Sequence, residues 1–277
     1  MQPGIFAKTF ERPSLTEVLD AVVENGFSHL QFNMACAGLP SLPEDISFEV
    51  TKQVANEMLV RNLTMDALSG TFNMIHPDKH IVEKGLKSLE VLISNAKQMG
   101  TSVITLCTGS CDADDMWRFH PENNSREAWL TLCNTLEPAL IMAESKDVIL
   151  GVEPELANVI NSADKARRIL DEMQSRHLKI VFDPANLFEK AASKEIEKII
   201  AYGLELVGKD IAIAHAKDRK LDGSFTAAGL GVLPYSFFIH HLRETGFDGT
   251  LITHGLKETE AKQCAIFLKK QLTYVNQ

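Results

Sequence analysis

The chain has 277 residues, 45% of them hydrophobic, which suits one large domain or two small ones with ample apolar surface for a core. It carries 28 Lys and Arg against 37 Asp and Glu, a net charge of −9. That balance argues against a nucleic-acid duplex as the main partner, since phosphate binding needs a basic face, but leaves a small anionic substrate open.

Residues 1–10 lack the apolar stretch of a signal peptide, and no segment approaches the roughly 20 apolar residues of a membrane span. Five scattered cysteines read as reduced packing thiols, so a cytoplasmic protein without a membrane partner is expected. Cys107 and Cys111 are four apart, but no second pair completes a structural zinc site.

Strand and helix signals alternate from end to end. Residues 4–9 form the first predicted strand. Ser14 and Glu17 have the capping-box spacing and open a helix that ends near Gly26. Strand 29–32, helix 44–61, strand 64–68, helix 77–98, strand 102–107 and helix 127–145 follow. The second half repeats the rhythm: strand 148–152, helix 162–174, strand 178–182, helix 193–207, strand 211–214, helix 234–245, strand 250–253 and helix 258–275. The strands are continuous Val/Ile/Leu runs, as expected when both faces are covered in a parallel α/β sheet. About eight βα units in ~250 residues predict a single (β/α)8 TIM barrel over residues 1–277. The competing doubly wound sheet normally shows a glycine-rich fingerprint after its first strand, and residues 7–13 hold none.

Four polar side chains end apolar runs in the second half: Glu153, Asp183, His215 and His254, spaced 30, 32 and 39 residues apart. Each interval is about one strand–loop–helix unit, so in a parallel barrel all four converge at the C-terminal mouth. A buried carboxylate is costly unless paired or coordinated, and two carboxylates with two imidazoles suit one divalent metal ion. Glu155 alternates with Glu153 and is expected to point the other way.

Around these, Asn73 and His76 after the third strand are candidate substrate-wall residues. Trp117, in the long loop 108–124, is a candidate sugar-stacking face. The loop's aspartates lack calcium-ligand spacing. Lys217 is a candidate substrate contact, although Lys217, Arg219 and Lys220 read first as a solvated loop. Asp218 is expected to support a metal ligand or to pair with Lys217. Gly229 and Gly231 read as a tight loop or lid over the mouth, being weak as a phosphate signal. No Ser or Cys sits in a nucleophile elbow.

At residues 151–154 (Gly-Val-Glu-Pro), 182–186 (Phe-Asp-Pro-Ala-Asn), 215–218 (His-Ala-Lys-Asp) and 229–231 (Gly-Leu-Gly), the chain resembles the xylose-isomerase-like TIM barrels. This is the sugar phosphate isomerase/epimerase superfamily, and the resemblance covers essentially the whole chain. It implies one divalent ion (Mn, Mg, Co or Zn) held by a Glu, an Asp, a His and a second Glu, with the two glutamates as acid/base pair. Glu153, Asp183 and His215 match the first three positions. The fourth departs, with His254 where epimerases usually have Glu. An imidazole still ligates, so the expected metal set is Glu153, Asp183, His215 and His254, and the expected proton-transfer pair is Glu153 and His254.

The related AP endonucleases need another His where Asn186 stands, which with the charge sets DNA repair aside. The resemblance implies a metal-dependent isomerase or epimerase on a sugar, keto-sugar or polyol, working through an enediolate. A lyase or dehydratase with the same site, or a non-catalytic binding barrel, are the alternatives. The expected partner is a small sugar or polyol, with a homo-oligomer left open.

Overall fold

The computed structural model describes residues 1–274. Among these residues nine strands form: β1 (Gln2–Phe6), β2 (His29–Phe32), β3 (Thr64–Ser69), β4 (Val103–Cys107), β5 (Ile149–Glu153), β6 (Leu178–Phe182), β7 (Ile211–Arg219), β8 (Phe225–Ala227) and β9 (Thr250–Thr253). Strands β1 to β7 and then β9 pair in parallel, and β9 pairs with β1 to close an eight-stranded barrel. Among the described residues eight α-helices ring it: α1 (Leu15–Glu24), α2 (Phe48–Val60), α3 (Lys79–Met99), α4 (Arg126–Lys146), α5 (Ala163–Met173), α6 (Ser193–Val207), α7 (Tyr235–Glu244) and α8 (Glu258–Tyr274). The predicted (β/α)8 architecture is the one observed.

Local chemistry explains most helix starts. Ser14, Ser47, Ser125 and Ser162 cap α1, α2, α4 and α5, and Asp78 caps α3, each accepting a backbone N–H with its side chain. Such caps contribute about 1 kcal/mol apiece. They also place α2 and α3 a few residues later than the predicted starts at 44 and 77. The first strand starts and ends earlier than predicted, because Ala7–Thr9 turn into a 3-10 helix. The last predicted helix position, 275, lies outside the described residues.

Two apolar layers hold the barrel. The larger lies between strands and helices, with Phe182, Phe238, Leu89 and Leu92 wholly buried. A smaller cluster plugs the barrel interior: Ala67 of β3, Val181 of β6, Ile213 of β7 and Ile252 of β9. Side chains two apart on a strand share a face, so Asp183, His215 and His254 stand directly above that plug.

The largest departure from expectation is β7. Its predicted end was residue 214, but it runs on to Arg219 and folds back through β8 as an antiparallel hairpin, Lys217 opposite Ala227. Lys217 and Arg219 are therefore buried, and only Lys220 is exposed, which corrects the solvated-loop reading for the first two. No helix among the described residues is long and apolar enough to cross a membrane.

Candidate active site

The mouth of the barrel opens into a cavity of about 440 Å³, with Glu153, Glu155, His215, Lys217 and His254 in its wall. A cleft of similar size, about 470 Å³, lies elsewhere on the surface, lined by Arg167, Asp210 and His241 among others, and holds none of these groups.

Glu153 is the last residue of β5, and Asp183 and His254 directly follow β6 and β9. Phe182 pairs with Ala214, so Asp183 and His215 are next in register. One ligand atom from each of Glu153, Asp183, His215 and His254 lies within 4.8 Å of the others. The four side chains predicted from spacing alone form one candidate metal-binding cluster.

The contacts inside the cluster have a consistent sense. His215 Nδ1 lies 3.0 Å from Glu153 Oε1, and its Nε2 lies 3.1 Å from Gln31 Oε1. Gln31 is oriented by donating its own Nε2 to Thr105 Oγ1 at 3.2 Å, so its carbonyl oxygen accepts from His215. Nε2 therefore carries a proton, and Nδ1 faces the carboxylate. A neutral imidazole in that tautomer would set a lone pair against an anionic oxygen, a contact that needs a proton or a cation between the two.

His254 Nε2 lies 3.1 Å from Asp183 Oδ2, and the two imidazole rings lie 4.4 Å apart. Ligand bonds of ~2.0–2.2 Å put neighbouring ligand atoms about 3 Å apart, so these spacings and this mixed N/O donor set fit a divalent ion. The Gln31 contact has the form of the outer bond that orients a metal-binding histidine.

Burial and charge act against each other at every group. Burial would raise Glu153, but His215 outweighs it and holds the carboxyl below its ordinary value. Burial would likewise raise Asp183; Lys217 and then the bond from His254 override it and hold it well below the carboxylate range. Burial would lower His215, yet Glu153 drives it up. His254 is lowered by burial and by the charges of His215 and Lys217, which keeps it neutral and able to ligate. Lys217 Nζ sits 3.2 Å from Asp183 Oδ2 and 4.0 Å from Glu155 Oε1. Asp183 first, with the neighbouring acidic groups, outweighs burial and keeps it an ammonium.

Glu155 corrects the sequence reading. It was expected to point away from Glu153, but residues two apart along an extended chain share a side, and Glu155 lines the cavity. Its carboxyl is pushed up to about 8, by burial first and then by the Glu153 charge. It also lies with Glu153 and Cys107 in a second tight group.

Two candidate wall residues do not reach the cavity. Asn73 Nδ2 donates to Ser110 O at 2.8 Å, and its Oδ1 accepts from Ser110 N, so it braces one loop against another. His76 Nε2 faces Ala113 O at 3.0 Å in the same seam. Trp117 and Lys217 line the cavity. Asp218 is hydrogen-bonded neither to a candidate metal ligand nor to Lys217. It accepts backbone N–H groups from Gly229 (3.1 Å), Gly231 (3.0 Å), Leu233 (3.0 Å) and Arg219 (2.8 Å), which pins the supposed lid down. Gln31 and Thr105 were missed, although each is a polar residue inside an apolar strand.

A family model described as xylose isomerase-like TIM barrel matches residues 19–271. The chain belongs to that family. An uncharacterized protein of Methanocaldococcus jannaschii is 21% identical over 283 residues, covering 100% of this chain and 91% of the other. The fold is similar to that of an L-ribulose 3-epimerase, with TM-score 0.76 and 16% identity over 100% of this chain and 96% of that one. It is also similar to the probable 3-DHS dehydratase AsbF of Bacillus anthracis, with TM-score 0.76 and 15% identity over 97% and 99%.

Proposed function

We propose that the protein is a divalent-metal-dependent isomerase or epimerase acting on a sugar, keto-sugar or polyol derivative. The observation that carries this reading is the convergence of Glu153, Asp183, His215 and His254 at the barrel mouth, beside a cavity of substrate size. A metal held there would supply Lewis-acid polarisation of a carbonyl and stabilise enediolate charge.

The chain's own groups do the rest. Glu153, kept ionised by His215, is the base that takes the proton from the carbon next to the carbonyl. Glu153 hands that proton back to the neighbouring carbon in an isomerisation; in an epimerisation it keeps the proton, solvent supplies one to the opposite face, and His254 is the base for the reverse direction. Asn186 Nδ2 donates to Glu153 Oε1 at 2.8 Å and holds that carboxylate in place. Trp117 offers an exposed ring to a sugar face.

A lyase or dehydratase is the second reading. Glu155 favours it, a second carboxyl facing the cavity, outside the proton-transfer pair. Incubation of the protein with keto-sugars in D₂O plus Mn²⁺, followed by NMR, tests the proposal. C–H exchange with interconversion supports an isomerase or epimerase. Loss of a β-substituent supports the lyase, and no exchange on any sugar refutes both.

A further inference from the structure

We infer that the substrate of this site is an unphosphorylated polyhydroxy compound, an inference that rests on the isomerase/epimerase reading above. Phosphorylated substrates of (β/α)8 barrels are commonly held by backbone N–H groups after the seventh and eighth barrel strands and at a helix N-terminus. In this chain both places are filled by its own carboxylates.

After β7, the Gly229–Gly231 segment has the form of an anion cradle, but Asp218 already occupies it. Oδ2 accepts from Gly229 N and Gly231 N, and Oδ1 from Leu233 N and Arg219 N. Asp218 is wholly buried, so the cradle is closed from below. Gly231 lies so tightly over it that an added Cβ would run into the Asp218 carboxylate and the Arg219 carbonyl. After β9, the backbone N–H of Lys257 donates to the Glu260 carboxylate at 2.8 Å, and the first turn of α8 carries Glu258 and Glu260. A phosphate would meet like charge there.

The nearby cations are also committed. Lys217 is held between Asp183 and Glu155. Arg219 gives Nε to Ala185 O (2.6 Å) and Nη1 to Gly223 O (2.5 Å), under the Phe225 ring. Lys8 stands on the cavity rim but is exposed to water, where a single ammonium contributes little. A phosphate entering this cavity would lose its hydration without a set of donors to replace it. Neutral hydroxyls find suitable partners in Asn33, Ser69, Thr71 and Thr105, and a ring face in Trp117.

Matched pairs test this directly: D-fructose and its 6-phosphate, L-ribulose and its 5-phosphate, and D-xylulose and its 5-phosphate. Each is incubated with the protein and Mn²⁺ in D₂O, and C–H exchange is followed by NMR. The expected result is exchange on at least one free sugar, with kcat/KM for its phosphate ester lower by about tenfold or more, since the ester gains no new contact and loses hydration. Equal or faster exchange on the ester overturns the inference and leaves the proposed function standing. No exchange on either member of any pair overturns the proposed function, and the inference falls with it.

Discussion

Replacing Lys217 with Met should expose how strongly the site depends on this buried ammonium. Lys217 and Asp183 have side chains 5% and 0% exposed and lie 3.2 Å apart. At that distance the gross attraction is about 5 kcal/mol at an effective dielectric constant of ~20. Methionine fills similar volume but leaves the buried Asp183 charge without its largest favourable partner, with only the weaker contributions of His254 and His215 to answer it. Breaking a buried pair from one side costs about 3–5 kcal/mol, equivalent to roughly 6–20 °C in melting temperature for a chain of this size.

Thermal and urea unfolding of chelator-treated Lys217→Met and wild type at pH 7 measure that loss. The pH profile carries the sign. Asp183 has a folded pKa below its unfolded value, so its contribution is present above pH ~3.9 and lost as pH falls below it. The gap between wild type and Lys217→Met should therefore be widest near neutral pH and narrow below about pH 4. A loss under about 1 kcal/mol, or a gap that stays constant into acid, would show that the ion pair does not hold the site.

Three further outcomes follow from the same electrostatics. Glu155 is raised to about 8, so ionising it in the folded chain is disfavoured. Metal-free wild type should therefore lose stability relative to Glu155→Gln by about 1.4 kcal/mol per pH unit between its unfolded value of ~4.3 and pH 8, and parallel profiles in urea would contradict this. Mn²⁺ or Zn²⁺ at about a hundred times its dissociation constant should stabilise the fold by about 2.7 kcal/mol, and Asp183→Asn should remove most of that gain; identical melting curves with and without metal count against the metal site. Imidazoles must be neutral to ligate, and with His215 raised and His254 lowered, metal affinity should fall in acid in two steps. His254→Glu should remove the lower step, and superimposable dissociation constants against pH would take His254 out of the ligand set.

Much of the site was legible because one rule covers it. A charged or polar residue that ends an apolar run, repeated at the length of a βα unit, has to emerge at the same end of a parallel barrel. That rule found Glu153, Asp183, His215 and His254, and it passed over Gln31 and Thr105 because each lies inside its strand rather than at the end of one. Glu155 went astray on parity, since position i+2 shares the face of position i. Asn73 and His76 went astray for another reason. Both follow a strand, but their partners are the carbonyls of Ser110 and Ala113 in a neighbouring loop, and no local pattern encodes that pairing.

Taken alone, the sequence determined the class of fold, the order of elements and the end of the barrel at which the candidate site gathers, because periodicity, caps and strand-end polarity are local properties of the chain. Only the tertiary structure decided which polar groups are spent on the scaffold and which face the cavity. Asp218 and Lys217 are neighbours in sequence, yet alternation along β7 sends one beneath the Gly229–Gly231 loop and the other into the carboxylates of the site. That division depends on β7 continuing past the barrel into its hairpin with β8, and on donors brought from positions 11 to 15 residues further along. Long-range hydrogen bonds of this kind form only once the chain has closed around them.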